Sequence, residues 1–440
     1  MLPNCENHKR KKWAHFETPR QNLKIGYVLL DGCGDRPAPE LNYTTPLEAA
    51  YTPNLDRVAA RAKLGRVTTV GEGIAPESDI AVFNMLGYSF DRGYPGRGVV
   101  EAVGSGLDFS DGDLALRANF ASAKGQVIVD RRAGRNLSQT EAERLALDLN
   151  RIKLTGADLR FRATISYRGV LVLKSSGGLS AAITNTDPAY SRVGGYGAAK
   201  ELSGSDRVLR SLPELKDEAA LRAADLVNEF TQKAQDALEG SEVNIERRRQ
   251  GKLPANCVLL RDAGDHLPKL PSFEERHGVK GTALVEMPAE VGIAKLLGMN
   301  MVKVKDREDM KEKASLFSSE LDDDTVVYVH IKGPDEFGHD GNAKGKKTNI
   351  ELIDRDFFSA LVKHLDDVKI AVSCDHATPC TLRMHSADPV PLLITSRSGG
   401  EGLRFTEANS TRGSLGHLNG CDVLSTVIRG DVRQSASSAA

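Results

Sequence analysis

The chain has 440 residues, 40% hydrophobic and 27% charged, with a formal net charge of −1. That length can bury a large core in two or three domains, and the near-neutral balance gives no reason to expect a nucleic-acid or membrane partner. No stretch approaches the roughly 18 continuous apolar residues of a membrane helix. The six cysteines (Cys5, Cys33, Cys257, Cys374, Cys380 and Cys421) contain no Cys-x-x-Cys pair and read as reduced thiols of a cytoplasmic enzyme.

Residues 1–22 read as a disordered basic leader, because His8-Lys9-Arg10-Lys11-Lys12 has no apolar segment behind it and so is no secretory signal. A strand over Lys24 to Leu30 runs into Asp31. Two helical segments follow, Thr45 to Ala50 and Thr52 to Ala59, with Thr52 expected as an N-cap before Pro53. A further helix over Ile80 to Leu86 ends at Gly87. Ser78 then lies at or just before its N-terminus, where free backbone N–H groups favour an anion.

From about Asp111 to Val285 the pattern changes. A strand is expected over Gln126 to Val129, and a hairpin over Phe161 to Tyr167 and Val170 to Lys174, turning at Arg168-Gly169. Leu221, Ala224, Val227, Phe230, Ala234 and Leu238 have the spacing of an amphipathic helix within Pro213 to Leu238. The polar stretches Ser203 to Ser211 and Glu239 to Pro254 read as loops or helix ends. Strand–helix alternation resumes at about Pro288, with Val326 to Lys332, Lys369 to Ser373 and Pro391 to Thr395 expected as buried parallel strands. Residues 431–440 read as a flexible tail. The fold class is therefore α/β: a mostly parallel sheet flanked by helices (residues 23–110 and 286–430), with a smaller α+β domain (111–285) inserted into it.

Chemistry gathers where apolar runs stop. Asp31 follows the first strand, Asp335 and His339 follow Val326 to Lys332, and Asp375-His376 follow Lys369 to Cys374. Ser78 and His385 (in Met384-His385-Ser386-Ala387-Asp388) complete the group. In open α/β sheets ligands bind outside the carboxyl ends of the strands, so these junctions point their acids at one crevice. Carboxylates with imidazoles suit manganese or zinc, and carboxylates alone lean towards magnesium. Asp335 and His339 stand four apart and share a helix face. Taken singly, each group has an ordinary structural reading: an N-cap for Ser78, a capped turn at Asp375-His376, a surface pair for Asp335 and His339. Together they suit a two-metal site that polarises a phosphoryl group and activates Ser78. His266, His277, His330, His364 and His417 show no partner pattern and read as surface or core residues. Cys33 and Cys374 read as packing residues.

A second set is cationic: Arg117, the Asp130-Arg131-Arg132-Ala133-Gly134-Arg135 turn, Arg261 and Lys280. Guanidinium forks match carboxylate and phosphate oxygens in pairs. An acidic metal site together with such a cluster suits a small phosphorylated carboxylic acid.

On these residues the chain resembles the archaeal-type, cofactor-independent phosphoglycerate mutases of the alkaline phosphatase superfamily. The resemblance runs from about Lys24 to Ile428. It is carried by Asp31-Gly32, Thr45-Pro46-Leu47-Glu48-Ala49-Ala50, Thr52-Pro53-Asn54-Leu55-Asp56, Ser78-Asp79, Gly96-Arg97-Gly98, Asp130 to Arg135, Gly338-His339-Asp340-Gly341, Asp375-His376-Ala377-Thr378-Pro379 and His385-Ser386-Ala387-Asp388.

The resemblance implies an alkaline-phosphatase-like core and two divalent ions, with manganese first and magnesium, zinc or cobalt as alternatives. Asp31, Ser78, Asp375 and His376 would hold one ion, with Ser78 as the phosphorylated nucleophile. Asp335, His339 and His385 would hold the other. Arg117, Asp130, Arg131, Arg132, Arg135, Arg261 and Lys280 would bind the substrate. The implied reaction interconverts 3-phosphoglycerate and 2-phosphoglycerate, a step of glycolysis and gluconeogenesis. Oligomeric state is left open. The chain departs from the family pattern at Cys33, at Glu77, where glycine is usual beside the nucleophile, and at Asp262, which interrupts an arginine–glycine–alanine–glycine run. Rival readings are a metal-dependent phosphatase or a phosphomutase for another phosphorylated or phosphonate acid, and an inert metal-binding protein.

Overall fold

The computed structural model describes residues 23–90, 93–193, 196–199, 206–397 and 399–429; the expected leader (1–22) and tail (431–440) lie outside them. Its strands in chain order are β1 (Lys24–Leu30), β2 (Ala62–Thr68), β3 (Leu114–Lys124), β4 (Val127–Asp130), β5 (Asp158–Ala163), β6 (Arg168–Lys174), β7 (Tyr190–Val193) and β8 (Tyr196–Ala199). They continue with β9 (Cys257–Gly264), β10 (Lys280–Val285), β11 (Asn300–Lys303), β12 (Thr325–Ile331), β13 (Lys369–Cys374), β14 (Val390–Thr395) and β15 (Gly416–Asn419). Two units emerge: residues up to 91 with 270–286 and 297 onwards, and residues 92–269 with 287–296.

Strands covered on both faces need apolar side chains at nearly every position. In the first unit β1, β12 and β13 meet that demand and lie side by side in an eight-stranded sheet of order β11-β10-β12-β1-β13-β14-β2-β15. Leu30 stands opposite both Ile331 and Cys374, so the three parallel strands stop flush. The sheet is mostly parallel. The exception is β14, expected to be parallel but antiparallel to both its neighbours. Its apolar run reports burial on two faces and carries no information about direction. Thr52 gives its helix no side-chain cap; its hydroxyl lies 3.3 Å from Arg404 Nη2. Thr45 instead closes a capping box with Glu48.

The second unit is built on a five-stranded antiparallel sheet centred on β3, which pairs with β4, β6 and β9. The β5–β6 turn comes earlier than expected, through Ile165-Ser166-Tyr167, with Ser166 in the left-handed region (φ 54°) and Arg168 N donating to Ile165 O at 3.0 Å. Arg168 therefore belongs to a strand and not to the turn. Leu114, Leu116, Ala118 and Phe120 on one face of β3 pack with the helices Gln139–Leu149 and Glu218–Glu239. The polar stretch 239–254 contains a further helix, Glu242–Arg249. Periodicity missed it because its main anchor is charged. Arg247, fully buried, donates to the carbonyls of Leu253, Asn136 and Ala133 and to the side chains of Glu141 and Asn136.

The unit boundaries differ from the expected 111 and 285. Residues 270–285 belong with the first unit because β10 joins its parallel sheet. Residues 92–110 belong with the second, where the helix Arg97–Gly104 packs on the helix Pro288–Leu296. Glycines make that approach possible: a Cβ on Gly104 would collide with the Pro288 carbonyl, and one on Gly292 with the Val100 carbonyl.

Cys33, Cys257, Cys374 and Cys380 are buried free thiols. Among the described residues no helix is long and apolar enough to cross a membrane.

Gly104→Ala and Gly292→Ala are each expected to cost about 2 kcal/mol through overpacking against backbone. Urea unfolding would show this as a lower midpoint at unchanged slope; a wild-type midpoint would contradict the close packing.

Candidate functional site

The flush ends of β1, β12 and β13 place three acids together. Asp31 N donates to Ile331 O at 2.9 Å, which locks the first turn after β1 onto the end of β12. Gly32 follows with φ 57° and donates its N–H to Asp375 Oδ1 at 2.9 Å. A Cβ there would lie 2.6 Å from Asp335 Oδ1, so only glycine fits. The helix Pro334–Asp340 carries Asp335 and His339 on one face. Ser78 opens the helix Ser78–Met85, with Glu77 as its N-cap residue.

Around the first acids, His376 Nε2 lies 3.2 Å from Asp375 Oδ2, 3.6 Å from Asp31 Oδ1 and 3.1 Å from Ser78 Oγ. The tautomer follows from the neighbours. Thr378 Oγ1 donates to Asp335 Oδ1 at 2.7 Å, so its contact with His376 Nδ1 at 3.1 Å must be the imidazole donating. Nε2 therefore keeps its lone pair and aims it at two carboxylates. Asp31 Oδ1 is buried and accepts no hydrogen bond; Asp375 Oδ2, also buried, faces His330 Nε2 and His376 Nε2, each at 3.2 Å. A buried oxygen left without a donor is what a cation would satisfy.

The second group repeats the logic. His385 Nδ1 lies 2.8 Å from the Pro76 carbonyl and His339 Nδ1 lies 3.2 Å from the Arg383 carbonyl, so both are donors there. Their Nε2 atoms face each other at 3.2 Å, each 3.5 Å from a different oxygen of Asp335. Two lone-pair nitrogens and a carboxylate converging this way need a proton or a metal ion between them. Among the described residues, the ligand atoms of Asp31, Asp375 and His376 lie within 4.8 Å of one another, as do those of Asp335, His376 and His385. His376 thus stands between the two, with His339 just outside the second. The residues fit divalent ions.

Electrostatics agree. Burial raises Asp31 to about 6, with Asp375 and Asp335 adding to the rise and Lys332 opposing it. Burial also opposes charge on Asp375, but His376 and His330 outweigh it and hold the carboxyl below its ordinary range. His376 falls to about 4 on burial. Burial disfavours charge on His385 too, yet its hydrogen bond to Asp335 and the carboxylate's charge lift it to about 10.

Three further residues belong here that the sequence did not single out. His330, set aside as partnerless, is buried with Nε2 3.2 Å from Asp375 Oδ2 and 3.7 Å from Asp31 Oδ1. Lys332 Nζ sits 3.2 Å from Asp31 Oδ2 and 3.0 Å from His330 Nδ1. The available signal was a histidine in an otherwise apolar, wholly buried strand end. Lys346, fully buried, donates to Gly34 O, Asp35 Oδ2 and Thr378 O at 3.3, 2.8 and 3.0 Å. It ties the loop after β1 to the loop after β13.

In the second unit Arg97, Arg117, Arg131 and Arg261 form one network. Glu101 lies 3.0 Å from both Arg97 Nε and Arg117 Nε. Asp262 lies 3.2 Å from Arg117 Nη1 and 3.3 Å from Arg261 Nε. Asp187 Oδ2 lies 3.1 Å from Arg261 Nη1, and Asp187 Oδ1 accepts from Arg131 Nε at 3.0 Å. Asp262 has φ 57°, a conformation glycine adopts without strain, which explains why this position can alternate with glycine. Asp130 Oδ1 accepts from Arg132 N at 2.6 Å and shapes the turn to Arg135. Lys280 belongs to the first unit, as the exposed first residue of β10 at the amino edge of the parallel sheet, whereas Asp31, Asp335 and Asp375 lie at the carboxyl edge.

The fold and site define an α/β enzyme whose chemistry gathers at the carboxyl ends of a mostly parallel sheet. Comparison with known proteins makes the class specific. A family profile described as 2,3-bisphosphoglycerate-independent phosphoglycerate mutase matches residues 59–244. Proteins of that name from Aeropyrum pernix and Methanopyrus kandleri are 44% identical over 419 residues and 37% over 417. These alignments span 90% and 92% of this chain and 97% and 95% of the relatives. A solved structure from Pyrococcus horikoshii superposes with a TM-score of 0.73 at 30% identity, covering 94% of this chain and all of its own. A cofactor-independent phosphoglycerate mutase from Thermoplasma acidophilum superposes at 0.58 and 32%, covering 92% and 99%. The chain belongs to the 2,3-bisphosphoglycerate-independent phosphoglycerate mutases.

Because His385 carries a proton near neutral pH and a ligand must not, metal binding should release protons and strengthen as pH rises towards about 10. Calorimetry of manganese binding in buffers of different ionisation enthalpy should show net release near pH 7. Uptake, or no proton change, would contradict the proposed ligand role of His385.

Proposed function

We propose that the protein interconverts 3-phosphoglycerate and 2-phosphoglycerate through a phosphoserine at Ser78. The observation that carries this is the Ser78 hydroxyl at a helix N-terminus, 3.1 Å from His376 Nε2 and beside the buried Asp31–Asp375 pair. The names of the relatives supply the substrate.

Asp31, Ser78, Asp375 and His376 would hold one divalent ion, and Asp335, His339 and His385 a second. Bound there, such ions would lower the pKa of the serine hydroxyl and neutralise charge on the phosphoryl oxygens. Manganese is the first expectation from this donor set. Ser78 Oγ then forms a bond to phosphorus as the bond to the 3-oxygen of glycerate breaks. Backbone N–H groups at the start of Ser78–Met85 stabilise the incoming oxyanion. Glycerate stays bound, turns, and its 2-oxygen takes the phosphoryl group back from Ser78. Water must be excluded meanwhile, since hydrolysis of phosphoserine would make the enzyme a phosphatase. The clustered guanidiniums of the second unit have the charge and geometry to bind a carboxylate.

Glu77 favours a second reading. Its charge acts on both His376 and His385, so it disfavours dianionic phosphate at the nucleophile and could redirect the site to another phosphorylated acid. Product analysis separates the two. With manganese, 3-phosphoglycerate and no bisphosphoglycerate, the protein should form 2-phosphoglycerate with little free phosphate. Ser78→Ala should lower the rate by roughly a thousandfold or more. Free phosphate as the sole product would sink the mutase reading, and full activity in Ser78→Ala would sink the serine route.

A further inference from the structure

We infer that Arg168, which opens β6, is a substrate-binding residue holding the oxyanion end of the phosphorylated acid. This deepens the proposed role of the second unit and rests on it.

Sheet register supplies the first argument. Residues directly opposite in an antiparallel pair project from the same face. Arg117 stands opposite Val170 on β6 and Arg261 on β9, and Asn119 stands opposite Arg168. Arg117, Arg168 and Arg261 therefore share one face of one sheet. That face is apolar on either side of them. Ala115, Val170 and Val172 pack with Val99 and Ala102 on one side; Ala121, Ala123, Cys257 and Leu259 cluster on the other. Three guanidiniums grouped between two apolar patches of a sheet face mark a polar site and not a solvated surface.

Charge pairing supplies the second. Arg117 and Arg261 each bridge two carboxylates, and Arg131 is bound to Asp187 through two of its nitrogens. Their charge is already answered by Glu101, Asp262 and Asp187. Arg168 makes no ion pair with any described residue; its guanidinium lies over the neighbouring Tyr167 ring at 5.4 Å. Arg132 and Arg135 likewise have no ion pair among the described residues, and they follow β4, which pairs with the far end of β3. Within this set, Arg132, Arg135 and Arg168 are the guanidiniums with no ion pair among the described residues, although the charge of Arg168 also acts on Glu101.

Tyr167 reports their convergence. Burial would raise its phenol, yet Arg168 first, then Arg132, Arg261 and Arg135, bring it below its ordinary value. Four guanidiniums act on one oxygen, so their field is focused. A small ligand bearing a carboxylate or phosphate is what that field selects.

The test is steady-state kinetics of the manganese-loaded full chain with 3-phosphoglycerate, for Arg168→Ala, Arg168→Lys and Arg132→Ala. Loss of one charge-assisted contact should raise KM by roughly tenfold or more for Arg168→Ala, with a smaller change in kcat and an unchanged melting temperature. Arg168→Lys should recover part of the loss, since it keeps the charge without the fork. A wild-type KM in Arg168→Ala, with a raised KM in Arg132→Ala, would overturn the inference and leave the turn as the anion holder. Wild-type KM in both would overturn the underlying reading as well. A lower melting temperature in Arg168→Ala with no rescue by lysine would mark Arg168 as structural and also overturn it.

Discussion

Three parallel strands that stop in register create the constraint on which the first unit depends. Because Leu30, Ile331 and Cys374 are level, the residues that follow them have nowhere to go but the same small volume. Asp31 and Asp375 arrive there directly, and Asp335 arrives on the first turn of the helix after β12. Carboxylates so close and so buried repel one another unless positive charge is added. His330 and Lys332 supply some of it within the chain. Imidazole lone pairs aimed inward, and the Asp31 oxygen without a donor, mark where a cation would supply the remainder. Loop geometry follows from the same constraint: Gly32 is needed for its φ and its missing Cβ, and Lys346 pins the two loops together from beneath.

The second unit solves the opposite problem. It collects arginines on one sheet face and neutralises some of them with Glu101, Asp187 and Asp262, each shared between two guanidiniums. Sharing fixes the side chains in place without removing the field as a whole. Asp262 contributes twice, through its left-handed backbone and through its carboxylate.

Legibility from sequence tracked the type of force involved. The parallel strands and the clustered acids were readable because apolar runs ending in a carboxylate are local patterns. Strand direction was not, since β14 is as apolar as its parallel neighbours. Lys280 looked like part of the cationic set, yet strand polarity places it at the edge of the sheet away from the acids. His330, Lys332 and Lys346 were missed because their partners are remote in the chain: His330 meets Asp31 and Asp375, and Lys346 meets Asp35. Arg168 was assigned to a turn, and a shift of the turn by a few residues makes it a strand residue opposite Asn119, on the sheet face that carries Arg117. The helix Glu242–Arg249 was hidden for a related reason, its anchor being a buried guanidinium and not an apolar stripe.

The central claim is that the convergence of Asp31, Asp335 and Asp375 exists to hold divalent ions in two adjoining places. Crystals grown with manganese, measured at the manganese absorption edge, test it most directly. The account predicts two anomalous peaks, one among Asp31, Ser78, Asp375 and His376, the other among Asp335, His339 and His385. Metal-free side chains in the present arrangement, or a peak bound by other residues, would contradict it.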